Sequence, residues 1–451
     1  MRGMILRMAL FLAASSLLAG CASYHGAPLA DTASTLAPPD MAIVSADAAK
    51  IDRPYLQPRP IDWAQPLPSD ALAIIAVLEN PDLKAARAKA GVADAQAFAA
   101  RLLPDPSVQA NYDKLLAGPD MFDALGGQLA MDLNQLRTAK VTRQGNDATG
   151  RQVRLDLAWA EWQTAGQARL QGARIQALMR RLAIAKAGAA SAERLFAASS
   201  RAGARGDISG ADVDTRRQAA LAAADTARTA ENDLVAARGE LNKLLGLPPG
   251  TILRLAPAPE PAVAPEASAL VAWSLDRRLD LQALRAGYDA AEADVHKAVL
   301  EQFPNLSLTV AGTRDTSGNR TIGPAIGFTL PLWNRNRGAI AIATATRAQL
   351  KAEYEARLFQ TRAEITTAVQ GLETVRRQRA ELIAQMPAIR QIADRSTLAV
   401  RHGDISPAAA ATAEQGARDR ELTLVELDQQ IAEQTIALEL LSGEPSEGWT
   451  R

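Results

Sequence analysis

Along the second half of this chain, apolar positions recur at helical spacing over long stretches. Leu424, Leu427, Ile431, Leu438 and Leu441 step by threes and fours, with polar Gln434 at the one vacant seam position. Leu155, Trp159 and Trp162 follow the same rhythm in the first half, as do Ile365, Val369 and Leu372 further on. That spacing belongs to a coiled-coil seam. It predicts four long helices, over about 139–202, 209–245, 339–402 and 406–442, the third kinked at Pro387. A helix of about 63 residues runs roughly 95 Å at 1.5 Å per residue, a length that suits a tube better than a compact domain. A helix of roughly 30 residues precedes each long pair, over about 70–102 and 276–302.

Between the shorter and longer helices the period changes to two. Val108, Ala110 and Tyr112 alternate with Gln109, Asn111 and Asp113, and Leu129, Met131 and Leu133 with Ala130, Asp132 and Asn134. The second half repeats this: Leu306, Leu308 and Val310 alternate with Ser307 and Thr309, and Ile326, Phe328 and Leu330 with Gly327 and Thr329. Glycines and polar residues at 312–323 supply a connecting loop. One greasy and one polar face at period two is the signature of a membrane β-hairpin, although a soluble hairpin packed on helices alternates in the same way.

The plan therefore occurs twice, about 197 residues apart, far beyond the 20–50 residues of a solenoid repeat. Arg205-Gly206-Asp207-Ile208-Ser209 reappears as His402-Gly403-Asp404-Ile405-Ser406. Asn80-Pro81-Asp82-Leu83 matches Arg278-Leu279-Asp280-Leu281, Leu103-Pro104-Asp105-Pro106-Ser107 matches Phe303-Pro304-Asn305-Leu306-Ser307, and Leu244-Leu245 matches Leu440-Leu441. Four matches in one order argue for duplication. The domains expected are a signal at 1–20, a Pro-rich tether at 21–68, a first repeat at 69–250, a linker at 251–275, a second repeat at 276–445 and a tail at 446–451.

The first twenty residues read as an export signal. Arg2 and Arg7 precede an apolar run, Met8 to Leu18, that is too short to span a bilayer. The run ends in Leu18-Ala19-Gly20-Cys21, which resembles the lipobox of bacterial lipoproteins. That resemblance implies cleavage before Cys21 and acylation there, and Ala22 in place of Asp favours sorting to the outer membrane. Cys21 is the one cysteine in the chain, so disulfides and cysteine metal sites are excluded. Beyond Gly20 no stretch of 18 apolar residues follows. Any membrane crossing by the mature chain must therefore be a closed β-barrel.

Charge and composition remove other classes. Lys+Arg 50 against Asp+Glu 50 gives no basic excess for a nucleic-acid partner. Only 4% of residues are aromatic, which suits close helix packing better than a deep core. His25, His296 and His402 are scattered, so no transition-metal site is expected. Phosphate loops and nucleophile elbows are likewise missing, and the expectation is a protein that is not an enzyme and needs no cofactor beyond its lipid.

Signal, duplication, and a hairpin plus long helical hairpin in each copy resemble the TolC-like outer-membrane efflux factor family over nearly all of residues 70–445. The most specific stretch is Gly327-Phe328-Thr329-Leu330-Pro331-Leu332-Trp333-Asn334-Arg335-Asn336-Arg337-Gly338. Its strand, Pro-Leu-aromatic and polar turn are a family mark, and its Asn-Arg-Asn form is similar to the heavy-metal (CzcC-like) subgroup. The resemblance implies a mainly α fold with a membrane β part. It implies a homotrimer sharing a 12-stranded barrel and an α-helical tunnel. It also implies a periplasmic adaptor and an inner-membrane efflux pump as partners. Physics points the same way, because four strands cannot close a membrane barrel, whose minimum is about eight.

Within that frame Arg205, Gly206, Asp207, Ile208 and Ser209, with His402, Gly403, Asp404, Ile405 and Ser406, are the expected adaptor-docking tips. Turn chemistry alone also explains them: glycine for positive φ, serine as cap. Gly203 and Val400 stand where the family often has an aromatic. Asp212 and Asp214 are candidates for an acidic gate, but Ala409, Ala410 and Ala411 occupy the comparable place in the second copy. The competing reading is a periplasmic coiled-coil adaptor or scaffold lipoprotein without a barrel.

Overall fold

The computed structural model describes residues 24–257 and 262–449. Residues 24–38 form a unit of their own, irregular except for one helical turn, Thr32–Thr35, where the Ser34 hydroxyl donates to the Asp31 carbonyl (2.7 Å). Residues 39–449 form the second unit, which is mainly helical. Its order is α1 (Met41–Ala48), α2 (Ser69–Glu79), α3 (Pro81–Ala99), β1 (Ser107–Asp113), β2 (Ala124–Asp132), α4 (Leu133–Ala204), α5 (Gly210–Leu244), α6 (Ala267–Arg277), α7 (Leu279–Leu300), β3 (Leu306–Arg314), β4 (Arg320–Phe328), α8 (Arg337–His402) and α9 (Pro407–Ser442). The run α2 to α5 is repeated by α6 to α9.

The first expected 30-residue helix is broken at Asn80, and the second is one helix over most of its span, interrupted only at Arg278 near its start. In the first repeat Asn80 takes an extended backbone, its side chain accepts from the Leu83 amide (2.9 Å), and Pro81 starts the next helix. In the second repeat Arg278 turns the chain at the matching place, so α6 begins inside the expected linker. Two of the long helices, α4 and α8, extend further than expected, and α5 and α9 fall one or two residues short. At 72 residues α4 spans roughly 108 Å, and α8 continues through Pro387. No helix among the described residues is long and apolar enough to cross a membrane.

The four strands form one antiparallel sheet in the order β1-β2-β3-β4. Each hairpin pairs internally, and β2 joins the two repeats by pairing with β3, from Leu125 opposite Arg314 to Asp132 opposite Ser307. The register keeps the two faces distinct. Val108, Leu129, Val310 and Pro324 stand in one cross-strand row, and Met131, Leu308 and Ile326 in another on the same face. The opposite face carries Gln109, Gln128, Ala311 and Gly323 in one row and Asn111, Gly126, Thr313 and Thr321 in the next. Neither face is covered: β1 and β4 are exposed throughout. At the far end the two hairpin loops are tied together. The Phe122 amide donates to the Thr316 carbonyl (3.1 Å) and the Ser317 hydroxyl to Asp120 (3.0 Å).

Residues 39–68 are not the extended tether their prolines suggested. Val44, Ala48, Ile51, Tyr55, Leu56, Ile61 and Leu67 are buried with α2, Trp162, Ile175, Leu234 and Leu245 in one core. Backbone bonds fix the segment: the Leu67 amide donates to the Arg254 carbonyl (2.7 Å) and the Ala256 amide to the Leu67 carbonyl (2.8 Å). A second core gathers Leu270, Ile365, Val369, Leu372, Val375, Leu427, Ile431 and Leu438, closed by Trp449 of the expected tail.

Candidate functional site

The long helices stand side by side as a wall. α5 packs on α4, α4 on α9 and α9 on α8, so α5 and α8 form its two ends. Helix wall and sheet thus share one organisation: the repeats join in the middle and both layers stop at unpaired elements. The end helices carry exposed apolar side chains, Leu221 and Val235 on α5 and Phe359, Ile383, Ile392 and Leu398 on α8.

Both tip turns have one geometry. Gly206 and Gly403 adopt φ of 81° and 82°. The amides after them close each helix: Asp207 donates to the Ala202 carbonyl and Asp404 to the Ala399 carbonyl, both at 2.9 Å. Ser209 and Ser406 then cap α5 and α9, accepting from the amides of Asp212 (3.1 Å) and Ala409 (3.2 Å). Ile208 and Ile405 are half-buried beneath the turns, whereas Arg205, Asp207, Ser209, His402, Asp404 and Ser406 are exposed. The tips differ in charge. Arg205 and Asp207 pair with each other (2.9 Å), and His402 and Asp404 form no such pair. Gly203 has its own reason to be glycine, because a Cβ there would stand 2.6 Å from Val213.

Asp212 and Asp214 are both exposed on the first turns of α5, and the Asp212 carboxylate accepts from the Ser209 hydroxyl (2.7 Å). Two residues apart on a helix means about 200° around its axis. The two carboxylates therefore do not share a face, and Asp212 serves the helix start. Among the described residues no cluster of three His, Cys, Asp or Glu could hold a metal. Cys21 lies outside the described residues.

Two buried charge clusters brace the wall where it meets the shorter helices, and periodicity alone did not reveal them. Glu161, 1% exposed on α4, accepts from Arg53 (2.5 Å), Arg87 (2.8 Å) and the Tyr55 hydroxyl (3.0 Å). Burial alone would raise its carboxyl, but Arg53 and Arg87 outweigh burial and hold it below the usual carboxylate range. Burial and the neighbouring Glu161 push the Tyr55 phenol up. In the second repeat Asp280 accepts from Arg278 (2.7 Å) and Arg357 (2.9 Å), which likewise overcome its burial and lower its carboxyl. The signal in the sequence was Glu161 itself, a charge set between Ala160 and Trp162 on an apolar face.

The strand-to-helix junctions differ between repeats. β2 runs straight into α4, with Asp132 capping by accepting from the Asn134 amide (2.8 Å). β4 instead passes through residues 329–336, where Arg335 (φ 45°) and Asn336 (φ 54°) are both left-handed. That conformation costs about 1–2 kcal/mol per non-glycine residue, less for asparagine. It is held by the Asn336 side chain donating to the Ala298 carbonyl (2.8 Å) and the Arg337 amide to the Asn334 carbonyl (3.0 Å).

Residues 270–444 match the family model described as outer membrane efflux protein, and the whole architecture matches solved outer-membrane channels. The chain has the fold of the TolC-like outer-membrane efflux family. A structure of CusC, described as forming a transmembrane channel, is 18% identical at TM-score 0.68 and covers 90% of this chain and 99% of its own. The outer membrane protein VceC from Vibrio cholerae is 18% identical at TM-score 0.68, with 84% and 96% covered. The Campylobacter jejuni CmeC outer membrane channel is 15% identical at TM-score 0.70, with 83% and 85% covered. No curated protein matches the sequence. The matching family is one of channel proteins and not of enzymes. The family's sequence pattern falls on residues 270–444, and the first repeat has the same order of elements.

Proposed function

We propose that this protein is the outer-membrane channel of a tripartite efflux pump. Three copies would share one 12-stranded barrel and one tunnel of helices. The observation that carries the reading is a pair of layers that each end in one element of each repeat: a sheet ending in β1 and β4 and a helix wall ending in α5 and α8. Exposed strand edges and apolar helix faces are liabilities unless another copy meets them. Four strands need partners to close a barrel, and since β1 and β4 run in opposite directions, the β4 of one copy can pair antiparallel with the β1 of the next. The apolar face then meets lipid, and the two rows that carry Gln109 and Gln128, and Asn111, Thr313 and Thr321, face the bore.

The chain conducts passively. Cargo, metal cations or small toxic organic compounds, is received through the tips at Gly206 and Gly403 from a periplasmic adaptor and an inner-membrane pump, which supplies the energy. Lipid on Cys21 adds a second anchor in the outer membrane. A periplasmic scaffold lipoprotein would account for long helices but leaves the four-stranded amphipathic sheet without a purpose. The test is the mass of the detergent-solubilised protein together with planar-bilayer conductance. A trimer that conducts is expected; a stable folded monomer without conductance ends the proposal.

A further inference from the structure

The turn between β4 and α8 presents an unusual surface. Leu330, Leu332 and Trp333 are 58%, 59% and 86% exposed, and Arg335 and Arg337 follow at once, both exposed. The ion pairs nearest in sequence, Lys297–Glu301 and Arg347–Glu292, leave both arginines out. Nothing about this display is loose. Two successive left-handed residues, Arg335 and Asn336, fix it, and Asn336 ties it to α7. The first repeat has nothing like it, since there the helix starts directly after β2. A strained, anchored turn that exposes a tryptophan with its neighbouring leucines, beside two unpaired guanidinium groups, calls for a partner with an apolar part next to an anionic part.

We propose that this turn is a membrane-interface clamp, with Trp333 and its leucines in the acyl boundary and Arg335 and Arg337 on the phosphates of anionic phospholipid. The proposal rests on the outer-membrane reading above. Two observations select lipid as the occupant. The turn continues the apolar face of the sheet, since Phe328 at the end of β4 shares its row with Leu306 and is 60% exposed. Its charge complements a phosphate surface, and a ring with an apolar body and polar edge prefers the boundary between acyl chains and headgroups. The turn lies at the helical end of the barrel, so the leaflet concerned is the periplasmic one.

The experiment uses the full-length protein in phosphatidylcholine vesicles doped with brominated phosphatidylglycerol or brominated phosphatidylcholine, read by tryptophan quenching. Subtracting Trp333→Phe isolates the one residue. Trp333 should be quenched, and more strongly by the anionic lipid. Loss of Arg335 or Arg337 to Gln should cut that preference about fivefold each, one charge at an anionic surface, and Lys at both positions should retain it. An Ile322→Trp variant, on the exposed apolar face of β4, reports barrel insertion separately. If Ile322→Trp is quenched and Trp333 is not, the clamp fails and the barrel stands; a blue-shifted, unquenched Trp333 would mean that a second copy covers it. Equal quenching by both lipids removes the anionic partner. No quenching at either position overturns the membrane reading and the clamp with it.

Discussion

Gly166 and Leu440 meet where the two repeats touch: a Cβ built on Gly166 would stand 2.7 Å from both Cδ carbons of Leu440. Gly172 lets α4 approach Leu72 in the same way, at 2.8 Å. α4 and α9 form the middle joint of the wall, so this contact sets how the halves of one protomer align. Gly166→Val should cost about 1–3 kcal/mol by overpacking. Gly188 is the control, because the nearest atom to its Cβ position is 3.8 Å away on the flexible Arg418 side chain. Gly188→Ala should gain about 0.5–1 kcal/mol from helix propensity. Helical circular-dichroism melts in detergent read both, and a Gly166→Val protein that melts like wild type would contradict the tight joint.

The Glu161 cluster should govern acid stability. Its carboxyl is lowered in the folded protein, so the stabilisation is present above the unfolded carboxylate value near about 4.3 and disappears as pH falls through the folded value. Melting temperature should therefore fall more steeply below about pH 5 in wild type than in Glu161→Gln. At neutral pH Glu161→Gln should lose about 2 kcal/mol. That is less than a fully buried broken pair, because Arg53 and Arg87 reach solvent. Trypsin should then cut first within residues 39–68 at Lys50, because Arg53 and Arg59 are each followed by proline, and unchanged cleavage would show that the cluster does not hold that segment.

How much of this was legible depended on periodicity. Ile365, Val369, Leu372, Leu427, Ile431 and Leu438 repeat at seam spacing, and all are buried. The strand faces were readable for the same reason, since alternation needs only local sequence. The burial of residues 39–68 is not legible in the sequence because Val44, Ile51, Leu56 and Ile61 are irregularly spaced among prolines and aspartates, a pattern with no period to detect. Their burial depends on partners such as Trp162, more than a hundred residues away, and on Tyr55 meeting that ring edge-on at 5.1 Å. The helix break at Asn80-Pro81 has a local signature, a capping asparagine followed by a proline at the first helical position. Asp212 and Asp214 illustrate the opposite error, because proximity in sequence placed them on different faces of α5.

Cys21 should carry the lipid. The apolar run, the small residues before the cysteine and the absence of any other thiol all point to it. Labelled palmitate should enter the wild type and not Cys21→Ser. Exported Cys21→Ser should still assemble, because the proposed barrel would hold the membrane without the acyl chains. Equal labelling of the two proteins would sink the assignment.

The tips carry the last prediction. Gly403 has φ of 82° with open space around its Cβ position, so a side chain there meets no neighbour and is opposed by backbone conformation alone. Valine should disfavour the turn by about 1–2 kcal/mol, redirecting Asp404 and Ile405 where the adaptor is proposed to bind. The control must be Ala409 rather than Ala410, because Ala410 is only 5% exposed and valine there would disturb packing as well. Ala409→Val, on an exposed helix position, costs a few tenths of a kcal/mol. Both variants should reach the membrane as oligomers, since the sheet stands roughly 100 Å away along α8. Adaptor crosslinking and a resistance assay, each normalised to oligomer level, then separate the roles. Gly403→Val should lose crosslinking and resistance while Ala409→Val keeps both. If Gly403→Val crosslinks and exports like wild type, the turn serves only to reverse the chain, and the adaptor must bind elsewhere along the wall.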